Sequence, residues 1–255
     1  MGATTANTAT TSPPLGDLRK SYTKTYRKAR ARLNAIFDHY DFRGKRVLDL
    51  GCHRGYFTFE LAAIAGTITG IDGDQGAIAE DIVLAQRLGL RNLDFQHALI
   101  TPEAIKTLPH YDVTLFLSVL HHIVANSQTY LWYEGRTGLE YGQAILHQLA
   151  RKTEMLFFEM GQSDEAEDWA LKLPRMEPSA DVWIVKNLLE PAGFRDITII
   201  PPPEFRGASG HARKFIYDHF HHTVARGSGL PIRALRRLTR FDTRDCRPMF
   251  MARGG

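Results

Sequence analysis

Val47 to Phe57 reads VLDLGCHRGYF. An apolar run ends on Asp49, Leu50 and Gly51, and a short loop then closes on Gly55. This is the pattern of a strand running into a glycine loop and then a helix. Gly51 permits a tight turn, and Gly55 lets the backbone pass close to a ligand with no Cβ in the way. A dinucleotide-binding loop is spaced G-x-G-x-x-G. Here the spacing is D-x-G-x-x-x-G, without the second glycine that lets a pyrophosphate approach. A second apolar run, from Thr67 to Ile71, ends on Asp72 in the sequence GIDGD, 23 residues after Asp49. A carboxylate at the tip of a second strand is placed to accept both hydroxyls of a ribose. The loop alone also fits an α/β domain that binds another nucleotide, or none.

Taken together, VLDLGCHRGYF and GIDGD resemble the class I S-adenosylmethionine-dependent methyltransferases. The resemblance implies that the first loop holds the methionine end of the cofactor, through Asp49, Gly51, Cys52, His53, Gly55, Tyr56 and Phe57. It implies a ribose site at Asp72 and Gly73. Adenine is expected just past the third strand, at Ala98 and Leu99, and Ser118 is expected at the lip of the fourth. Many family members carry Asp at the third-strand position, where this chain has His97 or Ala98.

The rest of the chain continues the alternation of a parallel sheet. Strands are expected at 46–50, 67–72, 93–97, 111–118, 155–159 and 195–200. Helices are expected between them at 55–65, 75–88, 140–152 and 182–190. Before the first strand, residues 17–40 repeat apolar side chains at three and four spacing, which predicts a helix. In methyltransferases of this shape such a helix often folds over the cofactor pocket, and Tyr22 and Tyr26 could reach it. After Pro201 to Pro203 the pattern breaks, and 203–243 is rich in Gly, Arg and His. Arg247 to Met251 reads as a seventh strand, closing the sheet as an antiparallel edge. The expected fold is thus α/β: a Rossmann-like, seven-stranded, mostly parallel sheet with helices on both faces. A basic helical insertion (203–243) precedes the last strand. The expected organisation is a disordered tail (1–16) and one methyltransferase domain (17–255) that includes the N-terminal helix.

Net charge is +4, unevenly spread. Residues 1–32 hold seven Lys/Arg against one acid, and 203–255 hold eleven against four. The ends therefore carry +6 and +7, and the middle −9. Basic flanks suit an anionic partner: an anionic small molecule or glycan, nucleic acid, or a peripheral membrane surface touched by the insertion. They also fit a merely solvated face. No apolar run approaches the length of a membrane span. The Thr- and Ala-rich start lacks the layout of a secretory signal, and the two cysteines, Cys52 and Cys246, form no framework. A reducing, cytoplasmic setting is the expectation.

Methyl transfer from a sulfonium needs the acceptor atom held behind the methyl, with water excluded. A hydroxyl acceptor also needs a general base. A phosphate oxygen needs only cationic groups to hold it. His121 and His122 follow the fourth strand, and on an extended segment only one of them faces the pocket. Glu159, at the tip of the fifth strand, is a further candidate, to orient that histidine or the substrate. LFLSVLHHIV, LHQLARKTEMLFFE, the acidic DEAEDW and the final RPMFMA narrow the likeness. They resemble the methyltransferase domain of bacterial kinase–methyltransferases that cap O-polysaccharide chains by methylating a terminal phosphate. More loosely they resemble RNA methylphosphate capping enzymes, which also end in an Arg-Pro-aromatic strand. This likeness spans roughly Val47 to Trp169 and the last ten residues. The expected function is O-methylation of a sugar, glycan-linked or other small acceptor, with a phosphate oxygen as an eligible site. The alternatives are an RNA methyltransferase, including one acting on a 5′-phosphate, and a non-catalytic cofactor-binding scaffold. Asp218 and His222 could share a helix face, but nothing completes a metal site, and no metal is expected.

Overall fold

The computed structural model describes residues 29–125, 137–161, 179–202 and 247–255. The expected tail, residues 17–28 with Tyr22 and Tyr26, the DEAEDW stretch and the 203–243 insertion lie outside the described residues. So do Asp218, His222 and the two short helices expected near them.

The elements follow in order: α1 (Ala29–Phe37), β1 (Arg46–Leu50), α2 (Tyr56–Ala62), β2 (Thr67–Asp72), α3 (Gln75–Arg87), β3 (Leu93–His97), α4 (Pro102–Thr107) and β4 (Tyr111–Leu117). Then come α5 (Leu120–Ala125), α6 (Gly138–Ala150), β5 (Thr153–Glu159), α7 (Ala180–Ile184) running on as a π-helix (Val185–Leu189), β6 (Arg195–Ile200) and β7 (Met249–Arg253). The seven strands form one sheet in the order β3-β2-β1-β4-β5-β7-β6. β7 pairs antiparallel with both neighbours, and the other pairings are parallel. This is the Rossmann-like sheet that the alternation predicts.

Period-two alternation splits the core between the two faces of the sheet. Leu48, Phe116, Phe158 and Phe250 pack on one face against α4, α6 and α7. Val47, Val113, Leu115 and Phe157 pack on the other against α1 and α2. β4 is buried on nearly its whole length, as a strand covered on both faces must be. α6 starts on a capping box: the Thr137 hydroxyl accepts from the Glu140 amide, and the Glu140 carboxylate accepts from the Thr137 amide.

Two expectations need correction. β7 does not close the sheet as an edge. It is inserted between β5 and β6, and β6 is the edge. The physical reason is burial: Met249, Phe250 and Ala252 are buried and need a neighbour on each side, whereas β6 is exposed at four of six positions. His121 and His122 do not sit on an extended segment, because Leu120 opens a helix there. Their side chains diverge by a helical step rather than alternating, and their ring centroids are 4.2 Å apart. Residues 102–107, for which the sequence reading assigned no element, form α4, with Thr101 accepting from the Ala104 amide and Pro102 in the first turn.

Candidate cofactor and acceptor site

A cavity of about 470 Å³ is walled by the carboxyl ends of β1 to β4 and by the helices beside them. That is where an open α/β sheet binds its ligand. The β1 loop is built tightly. Gly51 has φ +80, and its amide donates to the Ile71 carbonyl at 2.7 Å. A Cβ on Gly51 would stand 2.2 Å from Val119 Cγ2, so the loop and the β4 lip touch where only glycine fits. His53 also lies in left-handed space, at φ 46. It is held there by its own amide, which donates to Asp72 Oδ2 at 2.7 Å. The other oxygen of Asp72 accepts from the Asp74 amide at 2.8 Å. One carboxylate thus fixes the loop from β1 and the turn after β2 together.

Asp49 forms the floor. It is buried and accepts from the Thr58 hydroxyl at 2.6 Å. Burial pushes its carboxyl up to about 6, an effect the Thr58 hydrogen bond partly offsets and the charge of Asp72 reinforces. A cationic ligand group beside Asp49 would draw that proton off. Leu99 and Ile100 supply an apolar wall past β3. Of the expected cofactor residues, Asp49, Gly51, Cys52, His53, Tyr56, Phe57, Asp72, Gly73, Leu99 and Ser118 line the cavity. Gly55 and Ala98 do not. Gly55 turns the chain into α2 at φ +65, and the Ala98 amide donates to the Asp72 carbonyl at 3.0 Å. His97 is exposed, with Nε2 3.1 Å from the Gly73 carbonyl.

The three expected catalytic residues separate. His122 lines the cavity. Partial burial, and then the positive charge of Arg247, hold its imidazolium below the usual histidine range. His121 is buried beneath it. The Gly161 amide donates to His121 Nδ1 at 3.1 Å, so that nitrogen carries no proton. Burial pushes its pKa far down, and the charges of His122 and Arg247 act in the same direction. Glu159 is buried behind the cavity wall and accepts from the Ser118 hydroxyl at 2.5 Å. Its other oxygen stands 3.1 Å from Arg32 Nε, and Arg247 Nη1 donates to Ser118 Oγ at 2.9 Å. Ser118 is bent to φ 63 at this junction. Left-handed backbone at a non-glycine residue persists where its surroundings hold it, and here the Glu159 and Arg247 side chains do, with the Ser118 amide donating to the Glu159 carbonyl.

Sequence reasoning missed Arg32 and Val119. An arginine among many on a basic helix reads as solvent-facing, and the contact between Val119 and Gly51 crosses two strands. No group of three metal-ligating side chains occurs among the described residues. No described helix is long and apolar enough to cross a membrane.

The residues fit the cofactor that the loop implies: a carboxylate at a ribose position, an apolar adenine wall, and a buried acid beside the methionine end. Comparison with known proteins agrees. The methyltransferase domain family model matches residues 41–193. The O-antigen chain terminator bifunctional methyltransferase/kinase WbdD of Escherichia coli is 31% identical over 159 residues, 58% of this chain and 20% of that protein. A ubiquinone biosynthesis O-methyltransferase of Maricaulis maris is 32% identical over 104 residues, 38% of this chain and 40% of its own. This chain thus spans only about a fifth of WbdD. A crystal structure of WbdD superposes with a TM-score of 0.60 at 25% identity, covering 91% of this chain and 42% of that one. With the family model covering well over half of its length, this chain belongs to the methyltransferase domain family and is an S-adenosylmethionine-dependent methyltransferase.

Proposed function

We propose that this chain is an O-methyltransferase whose acceptor is an anionic sugar, glycan-linked group or other small molecule, with a phosphate oxygen as an eligible site. The observation that carries this reading is His122, a neutral imidazole on the cavity wall two strands from Asp72, beside Ser118. Bound S-adenosylmethionine supplies a methyl on a cationic sulfur. His122 then accepts the proton of a hydroxyl acceptor through an imidazole nitrogen, or donates a hydrogen bond to a phosphate acceptor that has no proton to lose. Glu159 does not meet the acceptor; it holds Ser118 and pairs with the arginines. Arg247 lends positive charge to the same lip. The name of the WbdD relative, an O-antigen chain terminator, supports a glycan-type acceptor. The RNA reading rests on the basic ends and on a relative named tRNA U34 carboxymethyltransferase, 26% identical over 177 residues.

Methyl-labelled S-adenosylmethionine, offered with cell extract separated into glycan-lipid, small-molecule, RNA and protein fractions, tests the acceptor class. Label is expected in the glycan-lipid or small-molecule fraction, and nuclear coupling between phosphorus and a carbon-13 methyl separates a methyl phosphate from a methyl ether. Label confined to RNA would replace this reading with the second one.

With that acceptor in hand, His122→Ala should lower turnover by about 10²- to 10⁴-fold, the usual contribution of a general base. Cofactor affinity should stay unchanged. The wild-type kcat/KM should rise with pH and level off below 6.5, because His122 loses its proton below the ordinary histidine value. Full activity in His122→Ala, with an unaltered pH profile, removes His122 from the chemistry.

A further inference from the structure

Behind His122 lies a second imidazole, closed off from solvent. His121 is 2% exposed. Its centroid is 4.2 Å from that of His122, with the two planes tilted by 37°. Its ring also lies against the chain just past β5. A Cβ built on Gly161 would stand 3.2 Å from His121 Cδ2 and 3.4 Å from Cγ and Nε2. The inner ring is therefore packed against the Gly161 backbone and the outer ring, with little room for a side chain at position 161.

The rotation of the inner ring is fixed as well. Its Nδ1 accepts from the Gly161 amide at 3.1 Å. A neutral imidazole has one N–H and one acceptor nitrogen, so His121 carries its proton on Nε2. A proton added to Nδ1 would set a donor against a donor and leave a buried amide without its acceptor. The surrounding charges act in the same sense. Burial, and then the charges of His122 and Arg247, oppose an imidazolium at His121. Glu159, the acid at the tip of β5, is engaged by Ser118 and Arg32.

The two histidines are thus unequal. In a pair whose inner ring could charge, a proton taken from an acceptor would be shared between two sites. Here the acceptor nitrogen of the inner ring is occupied, and the proton stays on His122 at the cavity wall. What the inner ring supplies is a flat face against which the outer ring rests. Orientation of that kind has large kinetic weight, since a reacting group misplaced by about 1 Å can cost about 10²-fold in rate.

We propose that His121 is a positioning residue: fixed by Gly161 as the Nε2–H tautomer, it backs the His122 ring, sets its orientation at the cavity and takes no share of its proton. The proposal rests on the reading of His122 as the group that meets the acceptor, and deepens it. It ties the tip of β5, through Gly161, to the chemistry at the lip of β4.

The test reads the rings directly and needs no acceptor. The full chain is labelled with nitrogen-15 histidine, and long-range proton–nitrogen correlation spectra are recorded from about pH 5 to 8, where an ordinary histidine titrates. Signals lost in His121→Asn and in His122→Ala assign the two rings. In wild type, His121 should show one protonated and one unprotonated nitrogen at every pH, and His122 should titrate once, below 6.5. His121→Asn keeps an acceptor oxygen for the Gly161 amide but removes the ring. The His122 midpoint should then rise by about half a unit or more, as water reaches the back of its ring. His121→Phe keeps a ring, and the midpoint should stay within about 0.2 unit of wild type. Gly161→Ala should shift the His122 signals through the ring between them. On the acceptor found by methyl labelling, His121→Asn should lower kcat by about tenfold with KM within about twofold, and His121→Phe should recover most of that loss.

A His121 that titrates in step with His122, or that carries its proton on Nδ1, overturns the proposal in wild type alone. So does a His122 midpoint that stays unmoved in His121→Asn. Full activity in His122→Ala removes His122 from the chemistry and this proposal with it, a failure told apart by spectra in which the two rings still behave as described.

Discussion

Asp72→Ala is expected to abolish measurable binding of S-adenosylhomocysteine while leaving a folded protein. The carboxylate accepts the His53 and Asp74 amides. Each of its oxygens has a second lone pair, and Asp72 lines the cavity. Two hydrogen bonds from ribose hydroxyls to a charged acceptor contribute about 1.5–3 kcal/mol each. Losing both weakens binding by about 10²- to 10⁴-fold. The loop would loosen as well, because His53 holds φ 46 with its amide on this carboxylate. Asp72→Asn keeps one acceptor oxygen and should fall between the two. Calorimetric titration beside a thermal melt separates binding from folding. Wild-type affinity in Asp72→Ala would falsify the ribose assignment.

Gly51→Ala should show a large loss of stability for a single added methyl. At φ +80 any Cβ costs about 1 kcal/mol or more. The new Cβ would also stand 2.2 Å and 2.8 Å from the two Val119 methyls. Overpacking of that kind costs about 1–3 kcal/mol, so the sum is about 2–4 kcal/mol. For a chain of this size the melting temperature should fall by about 5–15 °C. Val119 must swing away, which also reshapes the cavity it lines. Gly51→Ala combined with Val119→Ala removes both methyl overlaps and leaves the left-handed strain, so it should recover roughly half of the loss. No recovery in the double variant would mean that the contact with Val119 is not what excludes a side chain at Gly51.

The parts of the fold that could be read in the chain are those written locally. Strands at 46–50, 67–72, 93–97 and 195–200 match the expected bounds, because short apolar runs alternating with helical stretches mark the strands of a parallel sheet. Gly51 and Asp72 were legible because their roles follow from backbone freedom and charge at the strand tips. β7 was legible as a strand but not in its place, since sheet order depends on which edges remain to be covered. The helix at Leu120–Ala125 was missed because a short apolar run with two histidines has no period long enough to separate strand from helix. α4 did carry a signal, Thr101 followed by Pro102, which is an N-cap and a first-turn proline. Arg32 was not legible, nor was its pairing with Glu159. Glu159, Ser118 and Arg247 come from three strand ends scattered along the chain, and only the sheet gathers them into one cluster, which Arg32 joins through Glu159.

The position of β7 also orders the birth of the site in time. A chain leaves the ribosome from its N-terminus, and residues 201–248 intervene between β6 and the strand that joins it to β5. Until β7 arrives, β5 and β6 have no shared ladder, and that long-range closure is a slow kind of step. Arg247, at the foot of β7, reaches Ser118 only when the strand is seated. A nascent chain can thus bring the β1 and β2 loops together early through Asp72 and His53, while Ser118 gains its Arg247 partner only at closure.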